Sequence, residues 1–211
     1  MSKQIVLTAG QKAKSINRDK SIYGSFVEIG AGQEVARQFF RVGSASKTIA
    51  KTMSAYDRDF SDAIYGKEDD GRYVCKSRLN KMLNQEYDLL EKRLDRKDHK
   101  ETRYFVFADT VTTINYKKTN KGHGWIGLRF QLDPKKKPND FLIHVRLKDQ
   151  EAKLQQETIG IIGTNLGAMF LSLNKLVNIL TKAIVVDISL EPVDTFILLK
   201  ISFGGALIGF A

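Results

Sequence analysis

Hydrophobic positions recur with two different periods along this chain. From Lys76 onward, Leu79, Met82, Leu83, Tyr87, Leu90 and Leu94 fall three or four residues apart, which predicts an amphipathic helix of about five turns. Its other face alternates Glu with Lys and Arg, as a solvent-facing side does, and it ends in the charged run RLDRKDHKE. Beyond Glu101 the period shortens to that of strands. Tyr104–Ala108, Trp125–Phe130 and Phe141–Arg146 are short, rich in aromatic and β-branched residues, and bounded by Asp, Gly, Asn or Pro. The helical pattern returns from Gln150 to Ala183 in two pieces parted near Ser172–Asn174, and Ile184–Leu190 reads as a further strand.

The amino-terminal half is predicted to be mostly helical. Val35, Ala36, Phe39 and Phe40 make one apolar face, Ser44 or Ser46 can cap a second segment running through Met53, and Asp57 or Asp59 can start a third. Ahead of these, the apolar run from Ser25 breaks at Gly30-Ala31-Gly32, the pattern of a strand, a tight turn and a helix N-terminus. Residues 1–24 are polar and lysine-rich, and read as a basic extended arm or short strand. The closing apolar segment VDTFILLKISFGGALIGFA is interrupted by Lys200 and too short for a membrane span, so a buried helix or strand is expected there. The succession of elements predicts an α+β (mixed α/β) fold with a central short-stranded sheet and C-terminal helices and strand. Residues 25–211 are expected to form a single domain, cut short at its carboxyl end.

Composition narrows the function classes. With 211 residues the chain can bury a full core, and its single cysteine, Cys75, rules out an intramolecular disulfide or a thiolate metal cluster. A reducing, cytoplasmic setting without a membrane partner is the corresponding expectation. The net charge of +10 suggests a polyanion partner until it is resolved along the chain: +5 lies in residues 1–50 and +5 in 101–150. Lys12, Lys14, Arg18 and Lys20 form one cluster, and Lys117, Lys118, Lys121 and Lys135, Lys136, Lys137 form two more in expected loops. Such runs fit a solvated surface as well as a nucleic-acid face, and no helix-turn-helix, zinc-finger or RRM signature decides between them.

Familiar nucleotide motifs each fail at a nameable residue. Val27–Gly32 resembles the first motif of S-adenosylmethionine-dependent methyltransferases, but Glu34 stands where a third glycine is expected, and the same defect weakens a dinucleotide site. Ser44–Thr48 resembles the end of a phosphate loop, with Ser46 in place of the glycine before Lys47. A looser anion site remains: Gly30 and Gly32 at one helix start and Ser44 and Ser46 at another, with Arg37, Arg41 or Lys47 as counter-charges. Helix capping and ordinary turn chemistry account for the same residue types.

On the expected strands, His144 and Arg146 share one face, and so do Trp125 and Arg129. If those strands are neighbours, they converge on a site for an anionic ring such as a nucleotide, with His144 or His123 as acid/base and Asp109 orienting it. A polar outer face of a sheet is the alternative account.

The segments FVEIGAGQEVARQFF, SKTIAKTMSAYDRDFSDAIYG, RYFVFADTV, GHGWIGLRFQ, PNDFLIHVRLKD and LQQETIGIIGTNL occur in this order. Together they resemble the N-terminal part of a longer bacterial family whose members carry the labels nicotinate-nucleotide adenylyltransferase or TonB-dependent receptor. The resemblance implies a chain lacking the family's C-terminal half and departing from it at GSASKT. Neither label is supported by motif: GHGWIG offers Gly122-His123-Gly124 without the second histidine of HxGH, and a receptor needs an exported barrel of many strands. Two functions stay open, with no cofactor or metal assigned. One is a cytoplasmic enzyme, or the remnant of one, that binds a nucleotide or phosphorylated metabolite. The other is a non-catalytic basic module for nucleic acid or an acidic partner. A degenerate fragment without independent function is the third possibility.

Overall fold

The computed structural model describes residues 7–94, 96–171, 184–190, 199–203 and 206–210. The elements run α1 (Ala9–Arg18), β1 (Ile22–Ile29), α2 (Glu34–Arg41), β2 (Ile49–Met53), α3 (Arg58–Tyr65), α4 (Lys76–Arg93), β3 (Arg103–Thr112), β4 (Gly122–Phe130), β5 (Asn139–Leu147), α5 (Ala152–Leu171), β6 (Ile184–Leu190), β7 (Leu199–Phe203) and β8 (Ala206–Phe210). Six strands form one mixed sheet in the order β2-β1-β3-β4-β5-β6, and β7 and β8 pair separately. The protein is an α+β fold, with β1 parallel to β2 and β3, β4 antiparallel to both neighbours, and β5 parallel to β6.

Strand alternation sorts the side chains into two cores. Phe26, Phe105, Phe107, Ile126, Leu128, Phe141 and Ile143 point to one face, where they pack with Ala13 and Ile16 of α1, Val35 and Phe39 of α2, and Ile159 and Ile162 of α5. Val27, Tyr104, Val106, Ala108 and Leu142 point to the other face and meet Leu79, Met82, Leu83, Tyr87 and Leu90 of α4. The helix read from the three-to-four spacing is α4, and its apolar stripe is the one that is buried. Asp57 caps α3 by accepting from the Phe60 amide at 2.9 Å.

Two expectations are corrected. The arm assigned to residues 1–24 contains α1, whose capping box joins Thr8 and Gln11, and which packs against α5 and α2; β1 begins at Ile22. Weak periodicity concealed this helix because only Ala13, Ile16 and Asn17 of it are buried. The second helical segment through Met53 is instead the strand β2, preceded by a single 3-10 turn at Ala45–Lys47. That strand is short and lies at the sheet edge, so its burial does not alternate cleanly. The closing apolar segment, expected to be a helix or strand, forms the antiparallel strand pair β7 and β8 where it is described. The expected helix break near Ser172–Asn174 and its second piece lie outside the described residues. Among the described residues no helix is long and apolar enough to cross a membrane.

Candidate functional site

Chain reversal places the ends of β1, β3 and β5 and the start of β4 on one edge of the sheet, its carboxyl edge. β1 leaves this edge through α2 toward β2 on one face, and β2 returns through α3 and α4 to β3 on the other. The crevice between β1 and β3 is therefore the point where the winding direction switches, the position at which open α/β sheets bind ligands.

At this point Glu28 of β1 faces Asp109 of β3 in register. Glu28 is 1% exposed and Asp109 is fully buried. The Glu28 carboxyl group accepts from the amides of Val35 at 2.9 Å and Ala36 at 2.8 Å, so the first turn of α2 is already occupied by an internal acceptor. Asp109 Oδ1 accepts from the Ile29 amide at 3.2 Å, while Oδ2 has no hydrogen-bond partner among the described residues. Burial raises the Glu28 pKa to about 7 against its backbone hydrogen bonds, with Glu34 adding to the rise. Asp109 is raised well above the carboxylate range, first by burial and then by the charge of Glu28. Gly30 makes the turn possible: its φ is +101°, and a Cβ there would sit 1.8 Å from the Val111 carbonyl oxygen.

The opposite face of the same edge carries a different group. Trp125 of β4 stands opposite His144 of β5, and His123 opposite Arg146. His144 Nε2 and His123 Nδ1 are 3.4 Å apart, and the Trp125 and His144 rings lie 5.1 Å apart, tilted by 45°. Both histidines and Trp125 are half-buried, and Arg146 is exposed. Burial, then the neighbouring His144 and Arg146, hold the His123 pKa below its ordinary value. The loop before α4 borders this cluster, since Tyr73 O accepts from the hydroxyl of Thr110, the register partner of Trp125, at 2.7 Å. Asp187 of β6 occupies the register position beside His144.

Only part of the expected constellation gathers. His123, Trp125, His144 and Arg146 come together, and Gly30 and Gly32 lie on the same edge, toward β1. Asp109 does not orient either histidine, because its register partner on β4 is Ile126 and its side chain points to the other face. Arg129 sits toward the amino end of the strands and is held by Asp140 in two 2.7 Å bonds. Ser44, Ser46 and Lys47 are at the amino edge, roughly 25 Å away at about 3.3 Å per residue of β1. Their turn is the exit of α2, fixed by Asn17 bonding Phe39 O at 2.8 Å and Gly43 O at 2.9 Å. Arg41 is in the last turn of α2, and Arg37 is exposed and paired with Glu34 at 3.1 Å. The two glycine turns therefore do not share an anion.

Glu28 is a site residue that the sequence motifs did not single out. The signal was present: a lone carboxylate inside an apolar strand, just ahead of a glycine turn and a helix. The basic clusters are dispersed as well. Lys12 bonds Asn165 at 2.9 Å and Lys14 bonds Val42 O at 2.7 Å, so part of the first is spent on packing α1. Lys135–Lys137 lie in the β4–β5 loop at the amino edge, and Lys117, Lys118 and Lys121 in the β3–β4 loop at the carboxyl edge. Among the described residues no group of three His, Cys, Asp or Glu could hold a metal ion.

A mixed sheet between two helical layers, with its crevice at the carboxyl edge, is an architecture found among known structures. The chain resembles the competence-damaged protein (CinA) superfamily protein from Enterobacter cloacae at 10% identity and a TM-score of 0.54, covering 80% of this chain and 95% of that one. It also resembles the competence/damage inducible protein CihA from Agrobacterium tumefaciens, at 15% identity and a TM-score of 0.52 over 81% and 100% of the two chains. A third such structure is the competence damage-inducible protein A (ComA) from Klebsiella pneumoniae, at 7% identity and a TM-score of 0.56 over 80% and 100%. At these identities the likeness is one of fold. No protein-family model matches the sequence, and no curated protein matches it. The expected kinship with proteins labelled nicotinate-nucleotide adenylyltransferase or TonB-dependent receptor is thereby corrected: the solved neighbours are CinA-type structures, and they are spanned nearly whole.

Proposed function

We propose that this protein binds a small anionic ligand bearing a ring, of the nucleotide or phosphorylated-metabolite class, at the carboxyl edge of its sheet. The observation that carries this reading is the cluster of Trp125, His123, His144 and Arg146 on two adjacent strands. Trp125 offers a face for stacking and Arg146 a guanidinium for a phosphate or carboxylate. Local charge supports the same ligand. Lys117, Lys118 and Lys121, in the β3–β4 loop, border this edge and add positive charge to it. The neutral imidazole of His123 supplies an acceptor for a proton from a bound ligand, which is the feature an enzymatic role would use.

A nucleic-acid function has less support, because the lysine clusters lie on opposite edges and do not track along one groove. The cytoplasm is the setting proposed, from the single, unpaired Cys75. A thermal-shift panel of nucleotides and phosphorylated metabolites tests the reading: one or more should raise the melting temperature, and Arg146→Ala or His144→Ala should remove the shift. A flat panel would overturn it.

A further inference from the structure

A cavity lies on the α4 face, toward the amino half of β1 and β2 and away from the histidine cluster. It has a volume of about 190 Å³ and is walled by Tyr23, Ser25, Lys51, Glu86 and Arg93, with Leu89, Leu90 and Leu94 as its apolar side. Ser25 and Lys51 are register neighbours on β1 and β2. Glu86 is buried, and both its oxygens are committed: Oε2 to the Lys51 ammonium and Oε1 to the Tyr65 hydroxyl at 2.9 Å. The acceptors are thus used up while donors remain. Lys51 has N–H groups beyond the one given to Glu86, and it is 32% exposed. The Ser25 hydroxyl, on a residue 3% exposed, lines the cavity and can donate into it. Arg93 is exposed at the mouth and makes no ion pair among the described residues.

The balance of charge and shape defines a ligand. Two cations and one carboxylate leave a single positive charge, which matches a monoanion better than a doubly charged phosphate. The leucine wall calls for an apolar tail, and the volume is below the roughly 300–1,000 Å³ of a site for a drug-sized molecule. We propose that this cavity is a second binding site, which takes a short-chain carboxylate with its head on Ser25, Lys51 and Arg93 and its tail on the leucines of α4. Nothing in it depends on the carboxyl-edge reading.

The test is a backbone-amide NMR titration of the full chain with hexanoate, the neutral hexanamide, and inorganic phosphate as probes. Hexanoate is expected to shift the Ser25, Lys51 and Leu89 signals saturably, with millimolar affinity. Hexanamide and phosphate should bind at least about fivefold more weakly, as the loss of one charge-assisted contact requires. Arg93→Ala, a surface change, should weaken hexanoate similarly, and His144→Ala should leave it unchanged. The proposal is overturned if hexanamide binds as well as hexanoate, if phosphate binds more tightly at the same amides, or if no saturable shift appears up to about 20 mM.

Discussion

Glu28 and Asp109 stand side by side across β1 and β3, in register, on one face of the sheet and out of reach of solvent. Two carboxylates so placed do not both ionise without cost, since each is desolvated and each repels the other. The α2 amides favour charge on Glu28, whereas Asp109 has an oxygen with no partner among the described residues, so Asp109 keeps its proton to higher pH than Glu28 does.

Stability should therefore fall as pH rises. Glu28 has a folded pKa raised from 4.5 to about 7. Between those values the folded state holds a proton that the unfolded state has released. The loss accumulates from pH 4.5 to 7 and persists above, amounting to roughly 3 kcal/mol at 1.36 kcal/mol per unit. Asp109 acts in the same direction. Urea unfolding at stepped pH should show this decline, and Glu28→Gln should flatten it. A stability that rises from pH 5 to 8 would contradict the assignment.

Gly30→Ala should destabilise the fold by more than about 2 kcal/mol, combining a left-handed backbone cost with a clash. The clash is with the Val111 carbonyl, which is backbone and cannot swing aside. Gly66→Ala is the control, because its φ is +77° but nothing lies within 4 Å of a Cβ there. Equal losses in denaturant midpoints would show that close approach at Gly30 is unimportant.

Arg78 anchors the loop that borders Trp125. It is 1% exposed, pairs with Asp62 at 2.9 Å and Glu68 at 3.2 Å, bonds Gly66 O at 2.8 Å, and lies 4.7 Å from the Tyr73 ring centre. Arg78→Leu leaves the buried Glu68 with only Lys81 as counter-charge among the described residues, so a loss of about 3–5 kcal/mol is expected by thermal or urea unfolding. A variant within about 1 kcal/mol of the parent would mean that water replaces the guanidinium.

His123 should titrate below 6.5, the ordinary histidine value. Its imidazole proton resonances followed against pH report this directly. Arg146→Ala removes a repelling charge and should move the midpoint upward. An unmoved midpoint would separate Arg146 from the cluster.

How much of this was legible in the chain follows from where the information sits. α4 and the cores of β3, β4 and β5 were visible because each buries one regular face, so period and burial coincide. His144 and Arg146 could be placed on one strand face by parity alone, but their meeting with His123 and Trp125 depends on β4–β5 pairing, a long-range fact. β2 and α1 escaped because one is a short edge strand and the other buries few residues; their identity comes from tertiary packing. Parity also explains why Asp109 was misassigned. It was read as the boundary after Ala108 but lies within β3, where its face is set by Phe105 and Phe107, which point to α2 and α5. Ser44–Lys47 looked like a helix start and is a helix exit, a distinction carried by the left-handed Gly43 and Ser44.

The central claim, an anionic ring bound at the carboxyl edge, is tested most directly by NMR with adenosine monophosphate as a probe nucleotide. The account predicts saturable shifts of the Trp125 indole N–H and the His123 and His144 ring signals, lost in Arg146→Ala, with the Lys47 amide unmoved. Shifts centred on Lys47 and the amino edge, or none at all across the nucleotide panel, would contradict it.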